Sequence, residues 1–193
     1  LCRIEKMYHA AVLGIKDYFR KNNIKKALLG LSGGIDSALV VVLAVEALGK
    51  ENVIGVLLPS EYSTSHSITD AKASAENLGI EYYTIPIKET FTSALTALSP
   101  IFEGKEPNVA EENLQSRIRG MILMGIANKI GAALLNTTNK SELSVGYGTL
   151  YGDTNGAIGA LGDIFKTDVW EMSRWINRNE EIIPQNSIIK APS

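Results

Sequence analysis

Ser32-Gly33-Gly34-Ile35-Asp36-Ser37 interrupts an apolar run that resumes at once with Ala38-Leu39-Val40-Val41. Two adjacent glycines free the backbone to aim N–H groups at one point, and the flanking hydroxyls add donors. Between a strand and a helix such a loop binds an anion, helped by ~0.5 of a positive charge at the helix N-terminus. Asp36 narrows the choice of anion. A bare carboxylate is repelled by a polyphosphate, by ~1 kcal/mol at 4 Å in bulk water and by more in a drier site. A hard cation reverses the sign, and Mg²⁺ binds through one or two carboxylates plus phosphate oxygens. The hexapeptide therefore points to a magnesium-bound nucleotide; the plainer alternative is an Asp that favours a helix start through its dipole. Its spacing excludes two common phosphate loops, G-x-x-x-x-G-K-[ST] and G-x-G-x-x-G.

The elements around the loop read as alternating helices and strands. Periodicity predicts helices over 5–20, 37–48, 67–79, 89–98, 111–129 and 167–178. Short apolar runs predict strands over 27–32, 52–60, 81–87 and 132–138, with Pro86 pushing the third to an edge or a bend. This alternation implies βαβ units, hence an α/β fold with a parallel sheet covered by helices on both faces. Ligands of such sheets sit at the carboxyl ends of the strands. Polar clusters fall there at 32–37, 59–67 and 136–142, followed by a stretch, 144–163, with six glycines.

The whole chain sets the outer bounds. Its 193 residues suit one domain, and the composition, 45% hydrophobic and 21% charged, is that of a globular protein. A net charge of -2 gives no global basic field for nucleic acid. The longest apolar run, Ala38 to Val45, is far short of the ~20 residues of a membrane span, and no secretory signal is read, so the expected address is cytoplasmic. The single cysteine, Cys2, excludes an internal disulfide, and His9 and His66 are too isolated to build a metal cluster with it. A start at Leu1 and an abrupt end at Lys190-Ala191-Pro192-Ser193 read as part of a longer protein.

"SGGIDSA" (32–38) resembles the signature of the PP-loop ATP pyrophosphatases, which cleave ATP between its α- and β-phosphates. The loop alone leaves open another member such as GMP synthetase, or a non-catalytic nucleotide-binding module. The segment "ENLQSRIRGMILMGIANKIGAALLNTTNKSELSVGYGTLYGD" (112–153) is similar to NAD synthetase, most closely the synthetase domain of its glutamine-dependent form. "YHAAVLGIKDYFRKN", "LPSEYSTSHSITDA" and "IPQNSIIKAPS" fit the same family, so the resemblance covers essentially the entire chain.

The resemblance implies the adenine nucleotide alpha-hydrolase-like, Rossmann-like fold and an ATP-dependent amidation of deamido-NAD through an NAD-adenylate. It implies ATP contacts from Ser32, Gly33, Gly34, Asp36, Ser37, Thr137, Lys166 and Ser193, and Mg²⁺ on Asp36 and Glu142. Tyr18, Arg117, Tyr147 and Asp153 fall at positions of the deamido-NAD site, with Asp36, Lys166 and Asp153 in the catalytic set. Asp153 suits the deprotonation of incoming ammonium. Arg119, two positions beyond Arg117, is expected on another helix face. The resemblance also implies a homodimer, with two readings open for the apolar helix around Met121 to Ala133, its interface or the chain's own core, and ammonia that is either free or supplied by a glutaminase domain upstream. One departure stands out: Thr138 replaces a glycine in the segment before Asn139-Lys140-Ser141-Glu142, so the local backbone is expected to differ slightly. The family's C-terminal segment, which contributes to closing the site, is expected beyond Ser193.

Overall fold

The computed structural model describes residues 1–190. Five parallel strands form one sheet: β1 (Lys26–Gly30), β2 (Val53–Leu57), β3 (Glu81–Thr84), β4 (Ala132–Asn136) and β5 (Ile158–Gly159), in the order β3-β2-β1-β4-β5. Alternate residues of a strand point to opposite faces. Ala27 and Leu29 of β1 accordingly enter one core and Leu28 the other. Helices α1 (Arg3–Lys21), α2 (Ile35–Leu48), α3 (Ser65–Leu78), α7 (Lys166–Ile176) and α8 (Gln185–Ile189) build the first core with the sheet. Helices α4 (Lys88–Phe102) and α5 (Val109–Ile130) cover the opposite face around Leu28, Ile54, Val56 and Leu134. The expected α/β architecture, with helices on both faces, is the one found.

α2 lies between the sheet and its helical neighbours, and ten of its residues are buried. That burial explains its near-absence of polar residues and why three consecutive valines, weak helix formers, remain helical there. The helix starts at Ile35, two residues before the expected start, with Gly34 as its N-cap. Asp36 thereby falls in the first turn, at the loop's edge.

Other boundaries also move. β2, β3 and β4 end at Leu57, Thr84 and Asn136, short of the expected 60, 87 and 138. Asn108 starts α5 two residues early by a capping box, accepting from the Ala110 N–H while Glu111 accepts from the Asn108 N–H at 2.7 Å. α4 runs on through Pro100 to Phe102; the Thr96 carbonyl, which a proline at 100 cannot satisfy, accepts from the Ser99 hydroxyl at 2.8 Å instead. β3 is an edge strand, as Pro86 suggested.

The connections leave β1 toward β2 and β3 on one side, and toward β4 and β5 on the other. The carboxyl ends of β1 and β4, neighbours in the sheet, are therefore a topological switch point, where open α/β sheets form a binding crevice. The loop 31–34 and the turn into α6 (Lys140–Val145) meet there.

Candidate active site

The glycine loop is held by its own hydroxyls. Ser32 Oγ accepts from the Gly34 N–H at 3.2 Å, Ser37 Oγ accepts from the Ser32 N–H at 3.3 Å, and Ser37 Oγ donates to the Gly34 carbonyl at 3.0 Å. Gly33 has φ +78°, and a Cβ there would come within 2.2 Å of the Ser67 carbonyl oxygen at the start of α3. Only glycine fits that backbone in that space. From the far end of the chain, Ser187 in α8 donates its hydroxyl to the Gly33 carbonyl at 3.0 Å, and Lys190 Nζ reaches Ser67 Oγ at 2.6 Å.

Asp36 is gripped from two directions. Lys166, the first residue of α7, pairs with its Oδ2, and Asn139 Nδ2 donates to its Oδ1 at 3.0 Å. Both side chains of the ion pair are 18% exposed, so the pair is partly shielded rather than screened on an open surface. The starts of α6 and α7 are tied to each other: the Lys140 N–H donates to the Ile164 carbonyl at 2.9 Å, and the Lys166 N–H to Ser141 Oγ at 3.0 Å. Lys166 is thus placed by two backbone contacts, not by reach alone.

Glu142 belongs to a second capping box. Its N–H donates to Asn139 Oδ1 at 3.1 Å, and its Oε2 accepts from the Asn139 N–H at 3.0 Å. Burial holds the Glu142 carboxyl above the usual carboxylate range, and the Asp36 and Asp153 charges add to this; the Asn139 N–H and Lys166 oppose it. Asp36 and Glu142 line one polar chamber of about 320 Å³ together with Ser32, Thr137, Tyr147, Asp153, Lys166 and Lys190. Among the described residues no group of three or more His, Cys, Asp or Glu is arranged to hold a metal. Asp36 and Glu142, lining one chamber beside an anion loop, fit a cation whose shell is completed by phosphate oxygens.

The glycine-rich stretch after α6 folds back over β4. Asn136 Nδ2 donates to the Asp153 and Asn155 carbonyls at 2.7 and 3.1 Å, and Thr138 Oγ1 donates to the Asp153 carbonyl at 3.3 Å. Thr138, in place of the expected glycine, is buried and outside the left-handed region, so its backbone needs no glycine. Ser116 on α5 donates to the Asp153 carboxylate at 3.4 Å and accepts from the Asp153 N–H at 3.0 Å. Gly152 permits this contact, since a Cβ there would lie 2.3 Å from Ser116 Oγ. Beneath lies a mainly apolar cavity of about 170 Å³, lined by Gly30, Leu31, Val56, Leu123, Leu134 and the Arg119 side chain. It shares Ser32, Thr137 and Asp153 with the polar chamber.

Of the expected site residues, Ser32, Gly34, Asp36, Ser37, Thr137, Glu142, Tyr147, Asp153 and Lys166 line the polar chamber. Gly33 shapes its loop. Tyr18 lies elsewhere, half-buried on α1 with its ring 5.9 Å from that of Phe19. Arg117 is exposed and donates to the Leu150 carbonyl at 3.2 Å, in a separate shallow groove with Met121, Met124 and Tyr151. Ser193 lies outside the described residues. Arg119 points the other way from Arg117, as their spacing predicts: it donates to the Leu58 carbonyl at 3.0 Å, and burial pushes its guanidinium below its usual value. The sequence assigns no role to Asn139 or Ser187 and places Arg119 only by its helix face, although Asn139-x-x-Glu142 is a readable capping signal.

Comparisons with known proteins bear on the family and the fold. A family described as NAD synthase matches residues 7–193. The glutamine-dependent NAD(+) synthetase of Synechocystis sp. is 57% identical over 189 residues, covering 98% of the chain and 34% of that protein. The structure of glutamine-dependent NAD+ synthetase from Acinetobacter baumannii in complex with ADP superposes with a TM-score of 0.97 at 39% identity, over 100% of the chain and 37% of that one. The NH3-dependent NAD synthetase from Campylobacter jejuni superposes with a TM-score of 0.86 at 30% identity, over 97% of the chain and 77% of that protein. The chain thus spans about a third of the length of the curated relatives it matches. A match that begins at Met7 and takes in every element of the site places the chain in the NAD synthase family.

Proposed function

We propose that the chain carries out the ATP-dependent amidation of deamido-NAD to NAD, releasing AMP and pyrophosphate. The observation that carries this reading is the meeting of Asp36, Glu142 and Lys166 beside the glycine loop at the β1–β4 switch point. The polar chamber takes the phosphates of ATP, on the loop N–H groups and the hydroxyls of Ser32, Ser37 and Thr137; a contact from Ser193, outside the described residues, belongs to the same reading. The adjoining apolar cavity suits its adenine. Asp36 and Glu142 would hold Mg²⁺, which when bound neutralises phosphate charge.

A carboxylate is a poor acyl donor at neutral pH, and adenylation corrects this. A carboxylate oxygen of deamido-NAD attacks the α-phosphorus while the bond to the β-phosphate oxygen breaks and pyrophosphate leaves. The Lys166 ammonium stabilises the charge that develops on the departing group. Ammonia then attacks the acyl carbon, and the bond to the AMP oxygen breaks. Asp153, its backbone fixed by Ser116 and Asn136, takes the proton that the nitrogen must shed. Holding two anionic substrates in register is the greater part of the acceleration.

Tyr147 lines the chamber and offers an aromatic face to the pyridine ring. Tyr18 and Arg117 lie away from the chamber, and their place in deamido-NAD binding rests on a second subunit completing that site. A homodimer would also cover the apolar side chains α5 exposes at Met121 and Met124 and those of Leu150 and Tyr151. Ammonia is either free or delivered by a glutaminase domain elsewhere in the full protein, as in the glutamine-dependent relatives. The chain is one domain of such a protein, and its reaction belongs in the cytoplasm; no helix among the described residues is long and apolar enough to cross a membrane. Nucleic acid is not a partner in this reading.

The test is incubation with ATP, Mg²⁺, deamido-NAD and ammonium chloride, scoring NAD and AMP. Equimolar NAD and AMP are expected, with no turnover of xanthosine monophosphate. Faster turnover of that purine would move the chain to a different PP-loop reaction, and sedimentation as a monomer at micromolar concentration would remove the dimer.

A further inference from the structure

Asn139 has no exposed surface, and each of its polar groups has a partner. Its carbonyl accepts from the Leu143 N–H at 3.1 Å, its N–H donates to Glu142 Oε2 at 3.0 Å, and its Oδ1 accepts from the Glu142 N–H at 3.1 Å. Those three contacts are the work of a helix cap. The fourth is not: Nδ2 donates to Asp36 Oδ1 at 3.0 Å, across 103 positions of sequence. The amide has one consistent orientation, because the Glu142 N–H requires an acceptor and the Asp36 carboxylate requires a donor.

Capping alone does not require asparagine. Ser and Asp serve as well, through a side-chain oxygen. An aspartate would set a third carboxylate against Asp36, and a serine has no second group to reach it. Asparagine caps α6 and also donates to a carboxylate delivered by another element.

We propose that Asn139 is the positioning residue of the cation site. It fixes the plane of the Asp36 carboxylate, leaving Oδ2 to Lys166, and through one side chain it joins Asp36 to Glu142. Asp36 follows β1 and Glu142 follows β4, so Asn139 bridges the two halves of the crevice. This sets the affinity for the Mg²⁺ that accompanies the nucleotide. The inference rests on the reading of Asp36 and Glu142 as the magnesium carboxylates.

The test separates capping from bridging. Asn139→Ser keeps a capping oxygen for the Glu142 N–H and loses the donor to Asp36; Asn139→Thr does the same, and Asn139→Ala loses both. Binding of an ATP analogue with a methylene bridge between the α- and β-phosphates is measured by calorimetry across a Mg²⁺ titration and again in EDTA, alongside Tm. The cap-keeping variants are expected to lose less Tm than Asn139→Ala and to raise the Mg²⁺ half-saturation about tenfold, the scale of one lost hydrogen bond to a charged group. Their affinity in EDTA stays at the wild-type value. Asn139→Ala shows the same Mg²⁺ shift with a lower Tm. An unchanged Mg²⁺ half-saturation in both cap-keeping variants overturns the inference, and so does an equal loss of affinity with and without Mg²⁺. A wild-type chain whose binding ignores Mg²⁺ overturns the magnesium reading itself, and the inference with it.

Discussion

Lys166 and Asp36 form one partly shielded ion pair although 130 positions separate them, one at the start of α7 and the other in the first turn of α2. The start of α7 is held by hydrogen bonds to α6, so the lysine is a fixed charge at the mouth of the glycine loop. Lys166→Met should lower the deamido-NAD-dependent exchange of labelled pyrophosphate into ATP by about 10²-fold, the scale for losing one preorganised donor to a developing charge. An exchange rate within threefold of wild type would remove Lys166 from the chemistry.

Glu142 supplies a pH dependence whose sign follows from its raised carboxyl. Between the ordinary carboxylate value and the raised one, the native chain holds a proton that the unfolded chain has released. Stability contributed by this group therefore falls as pH rises through that window, and stays at its lower level above it. Glu142→Gln keeps an oxygen for the Asn139 N–H and removes the charge. In chelator at neutral pH it should raise Tm slightly, by no more than about 2 °C for a half-exposed group, and flatten the stability profile in that window. Added Mg²⁺ with nucleotide should then raise Tm less than in wild type. Thermal melts across pH, with and without Mg²⁺, check both statements.

Gly33 and Gly34 are adjacent and predicted to respond differently to a methyl group. Gly33→Ala meets the Ser67 carbonyl oxygen at 2.2 Å in a left-handed backbone. It should lower Tm by at least about 4 °C, from the ~1–2 kcal/mol of left-handed strain plus displacement of α3, and should abolish nucleotide binding. Gly34, at φ -83°, has Ser32 Oγ at 3.2 Å as its nearest neighbour. Gly34→Ala should keep Tm within about 2 °C and weaken binding only as far as the Ser32 hydroxyl must move. Calorimetry and melting of the two variants make the comparison.

Arg117 and Arg119 offer a second paired test. Arg119 is desolvated over the apolar cavity, and none of the ion pairs among the described residues includes it. Replacing this partly buried charge with an apolar group of similar length removes its desolvation cost and also the donor to the Leu58 carbonyl, so Arg119→Met should raise Tm slightly while weakening nucleotide binding. Arg117→Ala should leave Tm and Mg·ATP binding near wild type and raise the KM for deamido-NAD by about tenfold, as loss of a charged contact does. A reversed pattern, with Arg119 silent in nucleotide binding, would exchange their assignments.

The phosphate loop was legible in the sequence because its chemistry is local: glycines, hydroxyls and one carboxylate lie within six positions, flanked by apolar runs of opposite period. The sheet was legible for the same reason, four of its strands being apolar runs bounded by turns. β5 was not, since two residues, Ile158 and Gly159, have no period to read, and their place is fixed by hydrogen bonds to β4. Glu142 was assigned only through resemblance, because a glutamate in the first turn of a short helix looks like a cap, which it also is. No role for Arg119 or Ser187 was legible because their significance lies in what they meet across the fold, Leu58 and Gly33 respectively. Tyr18, suggested by resemblance, packs on α1 and is brought to none of the cavities.

The hydrogen bond from Ser187 to the Gly33 carbonyl spans 154 positions, and it has a consequence for order of assembly. A ribosome delivers Gly33 early and Ser187 near the end of this stretch of chain, at roughly 5–20 residues each second. β1 and α2 can pack as soon as they emerge, but the Gly33 carbonyl waits for a partner more than 150 positions away. All five strands are therefore synthesised before the residue that completes the glycine loop. The same helix, α8, brings both Ser187 to the loop and Ile188 to the first core, so the loop and the core that supports it are finished together.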